Sequence, residues 1–350
     1  MTTYANYEVS MRARRMKPHQ MKPLCRQLFS LIRLARVIPG AVAASLTTCT
    51  FADDYPVRSI TVVVPYAPGG GVDNVGRILA QQLSKQLKQS VLVDNRGGGG
   101  SGIGASMVAR SAPDGYTLLV GDPALVTNPR LVSNFPVKLE KDLVPISMLT
   151  ASPLLLSVTL ALPVKSVSEL VAYSKSKPNG ISFASAGVGS TPHLAGEMLQ
   201  FITKGNMLHV PYKGSGPAMV DLVSGQIDFA FATQTAAGSF ARSGRIRPLA
   251  TTGDTPSAEF PELPTVAKTV PGFNVTFWTA LFAPSGTPAS IIRRLDEAVR
   301  DSWQSDDLAN AFKSTGDRPA YQPSTRMRAF LAEESHTWNK LITDAGIKGE

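Results

Sequence analysis

The chain of 350 residues is poor in cysteine: Cys25 and Cys49 are its two thiols, and both fall in the first 52 residues. Once that segment is removed no thiol remains, which excludes disulfides and cysteine chemistry. Long apolar runs are missing as well. "PLLLSVTLALPV" stops short of the roughly 18 to 20 uncharged apolar residues of a membrane span and is bounded by prolines. No glycine-rich run ends in Gly-Lys-Ser/Thr, so a Walker loop and nucleotide hydrolysis drop out. There is no G-x-S-x-G elbow, and His, Asp and Glu do not cluster at metal-ligand spacing. Beyond residue 52 the histidines are His193, His209 and His336, leaving little material for a proton relay. Aromatics are 7% of the chain, too few for an aromatic-studded nucleic-acid face.

The formal charge of +9 resolves into two parts. Residues 1–52 carry eight basic residues and one acid, so the remainder is close to neutral, with 27 basic and 25 acidic residues. A cationic stretch, the apolar "VIPGAVAASLTTCTFA" and then "DDYP" have the layout of a secretory signal peptide cleaved after Ala52. The thiol of Cys49 is preceded by "LTT", which departs from a lipid-anchor pattern. The exported chain is expected to be periplasmic and not membrane-spanning.

From residue 58 short β-rich runs alternate with helical stretches. "SITVVVPY" reads as a buried strand, and "DNVGRILAQQLSKQL" puts Val75, Ile78, Leu79, Leu83 and Leu87 at helical spacing. "SVLVDN", "IGASMVARSA" and "YTLLVG" continue as strand, helix and strand, an order that predicts a parallel sheet. A second series starts after the apolar "LLLSVTLAL": the helix "VSELVAYSKSKP" capped by Ser168, then "ISFASA", "PHLAGEMLQFIT", "MLHVPY", "GPAMVDLVSG", "QIDFAFAT", "AAGSFARSG" and "IRPLATT". After the apolar "NVTFWTALFAP", three helices reach the C-terminus, with Leu295, Val299, Leu331, Trp338 and Leu341 as core positions. Two α/β series joined by two long apolar runs predict two lobes linked by two crossover strands. Ligands in such sheets bind beyond the carboxyl ends of the strands.

Every glycine-rich stretch occupies such a position. Gly97, Gly99 and Gly102 satisfy G-x-G-x-x-G, and Asp122 follows Gly102 at a dinucleotide-like distance. However, Asp94, Asn95 and Arg96 separate the strand from the glycines, which favours a structural loop. In "ASAGVGSTPHLAGEML" the hydroxyls Ser185 and Ser190 neighbour His193. Ser190 or Thr191 would cap a helix with Pro192 in its first turn. The two helix starts "APGGGVD" and "SAGVGST" both offer unencumbered backbone N–H groups, and a helix N-terminus attracts anions. Facing each other across a cleft, they suit a small anion. Asp73 opposes simple anion attraction unless it serves the helix dipole and faces away.

"PYAPGGGVDNVGR", "VDNRGGGGSGIGASMVARSAPDGYTLL", "ASAGVGSTPHLAGEML", "HVPYKGSGPAMVDLVSGQID" and "FAPSGTP" resemble, in order, motifs of the periplasmic substrate-binding proteins of tripartite tricarboxylate transporters, the Bug family, across residues 55–346. The resemblance implies an α/β, two-lobed periplasmic-binding-protein-like fold of type II (Venus flytrap). Lobe 1 would comprise 53–158 and 276–350, and lobe 2 would comprise 159–275. It implies a monomeric solute-binding protein with no catalysis and no cofactor. The ligand would be a small carboxylate (a di- or tricarboxylate, an amino acid or an aromatic acid), and the partner the membrane subunits of such a transporter, or a sensor.

Carried over from the family, the first loop is Tyr66, Ala67, Pro68, Gly69, Gly70, Gly71 and Asp73. The second-lobe loop is Ser185, Ala186, Gly187, Gly189, Ser190, Thr191 and His193, with Tyr212, Lys213 and Gly214 nearby. Asn128 and Pro129 belong to the loop after the third strand. Two letters depart from the family: Val72 stands where Thr is common, and Asp122 where small or hydroxyl residues are usual. An unpaired carboxylate in a carboxylate pocket is costly. Either Asp122 points away, or the ligand brings an ammonium or similar donor, or the ligand is neutral. The rival reading from another class is an exported serine hydrolase using Ser190, or Ser185, with His193.

Overall fold

The computed structural model describes residues 55–253, 257, 259–313 and 316–349. The leader, its cysteines and the cleavage position at Ala52 lie outside the described residues. The first part of the chain gives β1 (Ile60–Val64), α1 (Gly71–Leu87), β2 (Val91–Asn95), α2 (Gly102–Ala109), β3 (Thr117–Gly121), α3 (Ala124–Leu131) and α4 (Leu139–Asp142). Then come β4 (Leu143–Thr159), α5 (Val167–Ser176), β5 (Ile181–Ser185), α6 (Thr191–Thr203), β6 (Met207–Pro211), α7 (Ser215–Ser224), β7 (Phe229–Thr233), α8 (Gln234–Arg242) and β8 (Ile246–Thr251). The remainder holds α9 (Val266–Thr269), β9 (Thr276–Pro284), α10 (Ala289–Trp303), α11 (Asp306–Lys313), β10 (Pro319–Pro323) and α12 (Ser324–Ala345).

The ten strands form one sheet in the order β2-β1-β3-β9-β4-β7-β5-β6, with β8 and β10 also paired to β4. The parallel expectation holds within each series, β2-β1-β3 and β6-β5-β7, and fails where they join. There β9 runs antiparallel to β3 and β4, and β4 runs antiparallel to β7, β8 and β10. The two apolar runs are these joining strands. β4 pairs with β9 from Leu143 to Pro153, then with β7 and β8 from Leu154 to Thr159, and so belongs to both halves of the sheet. Its near-continuous apolar sequence follows from being buried on both faces.

Where the chain passes back between halves, Thr252 stitches three segments together. Its hydroxyl donates to the Val275 carbonyl and accepts from the Leu154 N–H at 2.8 Å, while its own N–H donates to Leu154 O at 2.9 Å. One apolar core runs through both halves, joining Val62, Leu79 and Leu119 to Phe183, Phe229 and Phe231. A smaller cluster around Leu155, Met219, Leu222 and Ile227 lies in the second half. Val75, Ile78, Leu79, Leu83 and Leu87 of α1 are buried, as are Leu295, Val299, Leu331, Trp338 and Leu341. Described residues fall in the unit Phe51–Glu350.

Two local readings are corrected. The cap of α5 is Ser166, not Ser168: Ser166 Oγ accepts the Glu169 N–H, and Glu169 returns its carboxylate to the Lys165 N–H at 2.7 Å. The segment after β3, expected as a loop, is the helix α3, so Asn128 and Pro129 are helical. "PAYQP" forms β10, a strand between the last two helices, and pairs with β4 at the sheet's margin, where proline is tolerated.

Candidate functional site

The carboxyl ends of β1, β3, β5, β6 and β7 converge on one cavity of about 90 Å³. Its walls are loop residues of both halves: Tyr66, Ala67, Pro68, Gly70, Gly71, Val72 and Asp122 from the first, and Ala186, Ser190, Thr191, Pro192, Lys213–Pro217 and Thr233 from the second, with Phe277 of β9. A larger, open cavity of about 510 Å³ lies between α3, α4 and α12, lined by Arg130, Lys138, Lys141 and Arg328 among others. Its lining holds none of the glycine-rich loops that follow β1 and β5 and shares no residue with the smaller cavity, so the smaller cavity is the candidate site.

The first wall is held by Asp73. This buried carboxylate accepts the Gly69 N–H at 2.9 Å, Arg77 Nε at 3.0 Å and Asn95 Nδ2 at 2.8 Å, and Asn95 also reaches the Tyr66 carbonyl. Burial pushes its pKa up, but the hydrogen bonds from Arg77, Gly69 and Asn95 outweigh it and hold the carboxyl below its usual range. Asp73 therefore closes the loop on itself and does not line the cavity. Gly70 caps α1 without any side-chain hydrogen bond, leaving the first turn's N–H groups to whatever approaches. Behind this loop, a Cβ on Gly97 would sit 3.1 Å from Ala67 N, so the glycine run 97–100 lets two backbones meet.

The second wall is the start of α6. Between Ser190 and Thr191, Ser190 is the cap: its Oγ accepts the His193 N–H at 3.5 Å and donates to the Gly187 carbonyl at 2.6 Å. The His193 ring accepts the Gly189 N–H through Nδ1 at 3.1 Å, and its Nε2 lies 3.6 Å from Glu197. The Thr191 hydroxyl is fully buried and has no hydrogen-bond partner among the described residues, and Thr191 is one of the residues of the cavity wall. Gly189 has φ +73°, and its carbonyl accepts the Thr127 hydroxyl at 2.7 Å, tying α3 of the first half to this loop. Asn128 beside it donates to the Gly100 carbonyl and supports the mouth without lining the cavity.

No serine–histidine dyad forms from Ser190 and His193, because the ring is committed to Gly189 and the hydroxyl to Gly187. Ser185 instead meets His209 Nε2 at 2.7 Å, and His209 stacks on His193 with centroids 3.9 Å apart. Burial and then the neighbouring His193 pull His209 down to about 3. This pair lies behind the loop, outside the cavity lining.

Asp122 lines the cavity. It is 3% exposed, accepting the Tyr66 hydroxyl at 2.9 Å and the Ala124 N–H at 3.2 Å. Burial pushes its pKa up to about 6 against those hydrogen bonds, and burial together with Asp122 raises Tyr66 well above the usual tyrosine range.

Of the expected residues, Tyr66, Ala67, Pro68, Gly70, Gly71, Asp122, Ala186, Ser190, Thr191 and Gly214 line the cavity. Gly69, Asp73, Asn128, Ser185, Gly187, Gly189, His193 and Tyr212 stand behind it. The Tyr212 hydroxyl is engaged with Asp221 at 2.6 Å. Sequence reasoning missed Thr233, Ser215 to Pro217 and Phe277. Thr233 ends a strand and caps α8, so the strand-end rule already contained its signal.

Residues 75–347 match the family model described as the tripartite tricarboxylate transporter family receptor. Protein BugT of Bordetella pertussis is 36% identical over 323 residues, covering 91% of this chain and 99% of that protein. Among solved structures, R. palustris Rpa4515 with adipate aligns at 34% identity and a TM-score of 0.82, covering 85% of this chain and 100% of that one. The periplasmic binding protein BugD aligns at 31% identity and a TM-score of 0.80, with 85% and 100% covered.

Proposed function

The chain belongs to the tripartite tricarboxylate transporter receptor family, and from that membership we propose that it captures a small carboxylate between two lobes for uptake or sensing. Its fold is the two-lobed α/β arrangement of periplasmic binding proteins. Among the described residues no helix is long and apolar enough to cross a membrane. Our reading adds that residues 1–52 are a leader removed on export, and that the exported protein is a periplasmic monomer. It also adds that lobe 1 comprises 53–158 and 276–350, that lobe 2 comprises 159–275, and that the site performs no catalysis.

The observation that carries this reading is the buried, unpartnered Thr191 hydroxyl at the start of α6, in one cavity with the uncapped start of α1. A buried hydroxyl without a partner costs about 1–3 kcal/mol, which a ligand oxygen can offset. Two helix N-termini place partial positive charge on both walls, with free N–H groups at the start of α1, whereas in α6 Pro192 has none and that of His193 is taken by Ser190; Lys213 adds a full charge. The adipate bound by Rpa4515 is an anion of the kind such walls accept. A ligand touching both walls favours the closed state differentially, which is what closure requires.

Calorimetric titration of the purified protein, refolded to strip any co-purified ligand, tests the proposal against di- and tricarboxylates, amino acids and aromatic acids. One-to-one binding of at least one of these is expected. Binding of none would defeat the reading.

A further inference from the structure

Asp122 is hard to explain as part of a pocket for plain dicarboxylates. Its carboxylate is buried in the cavity wall and accepts one hydrogen bond on each oxygen, from the Ala124 N–H and the Tyr66 hydroxyl. A carboxylate has about four acceptor positions, so acceptor capacity remains on a residue that lines the cavity. Among the described residues no lysine, arginine or histidine forms an ion pair with it. A buried anion without a countercharge is strongly disfavoured unless something supplies one. The remaining wall has the opposite character: Lys213 and the start of α6, with the Thr191 hydroxyl, are suited to an anion. The cavity thus has one acidic wall and one electropositive wall within about 90 Å³.

We infer that Asp122, oriented by Tyr66, is the ammonium-binding residue of this site, so that the ligand is an aminocarboxylate, its amino group on Asp122 and its carboxylate toward Thr191 and Lys213. The inference rests on the carboxylate reading above and narrows it. A plain dicarboxylate would set its second carboxylate against Asp122, a like-charge contact that only protonation relieves. An ammonium fills the open acceptor positions with donors and neutralises the buried charge at once. At pH 8 the Asp122 carboxyl, with its pKa pushed up to about 6, is ionised and ready for it.

The test is calorimetric titration at pH 8 with matched pairs differing by one amino group: aspartate and succinate, glutamate and glutarate, 2-aminoadipate and adipate, 4-aminobutyrate and butyrate. The wild type is expected to bind the amino member of at least one pair ten-fold or more tightly. Asp122→Asn is expected to reduce that preference below two-fold or to reverse it. Should the Asn variant fail to fold by circular dichroism, Asp122→Ser, the small hydroxyl residue, takes its place. Wild-type binding of the deaminated acids as tightly as their amino partners overturns the inference and leaves the carboxylate reading standing. So does a preference that survives both variants. Absence of binding by every pair overturns this inference, and the carboxylate reading falls with it only where the tricarboxylates and aromatic acids fail to bind as well.

Discussion

The hydroxyl of Thr127 donates to the carbonyl of Gly189 at 2.7 Å, joining the helix after β3 to the loop after β5, two segments 62 residues apart and from opposite halves of the sheet. Both partners are shielded from water, and Asn128 packs against the same glycine, so the two halves are joined at one defined point beside the cavity. A cavity built from strand ends of both halves changes shape whenever this tie opens.

Thr127→Val keeps the side chain's shape and removes the donor, leaving the Gly189 carbonyl without that bond. The loss is about 1–3 kcal/mol, shared between folding and closure. Stopped-flow measurement should find ligand dissociation accelerated roughly five-fold or more with association little changed, since changes in affinity within one site act mostly through dissociation. An unchanged dissociation rate would show that the tie plays no part in retention.

Thr191→Val tests the unpartnered hydroxyl. No protein group bonds to it among the described residues, so thermal unfolding should be unchanged or slightly higher, while affinity falls about ten-fold by loss of one hydrogen bond to an anionic ligand. Lower stability with unaltered affinity would assign the hydroxyl to the fold instead.

Asp122 is expected to weaken the fold that contains it. Its folded-state pKa of about 6 lies above the unfolded value near 3.9, so the native state holds its proton more tightly. The stabilisation from this group is therefore full below about pH 4 and is lost as pH rises through about 6. Asp122→Asn should raise stability at pH 8 by on the order of 3 kcal/mol in urea unfolding and change it little at pH 4. A less stable variant at pH 8 would mean that the ionised carboxylate is better compensated than its two hydrogen bonds indicate.

His209 acts in the opposite direction. Its folded-state pKa, pulled down to about 3 by burial and by His193, lies below the unfolded value near 6.5. Its contribution is present above about 6.5 and is lost as pH falls toward 3. His209→Gln, which can keep a hydrogen bond to Ser185, should flatten the decline in melting temperature between pH 7 and pH 4. A decline as steep as the wild type's would place the acid sensitivity elsewhere.

Much of this architecture is legible in local pattern. The helical spacing from Val75 to Leu87 and the short β-rich runs on either side place the first α/β series without long-range information. Failures came where neighbours in space decided the outcome. Pro129, in the last turn of α3, reads as part of a loop, yet α12 packs on α3, and β10, bounded by prolines, is a strand because it pairs with β4. Ser166 and Ser168 are equivalent by composition; Glu169, three residues after Ser166, decides between them through the capping-box spacing. At the site, the glycine loops announced themselves because a helix start after a strand has a sequence signature. Phe277 did not, since only the pairing of β9 with β4 brings it under the cavity. The direction of Asp122 was open for the same reason: a side chain at a strand end points wherever its neighbours allow, and here Tyr66, 56 residues earlier, receives it.

The most direct test of the account is a crystal structure of the protein saturated with its tightest-binding carboxylate. The account predicts that the ligand lies in the cavity between the starts of α1 and α6, with a carboxylate oxygen within hydrogen-bond distance of the Thr191 hydroxyl and of backbone N–H groups on both walls. Ligand density in the larger groove between α3, α4 and α12, with the smaller cavity vacant, would contradict it.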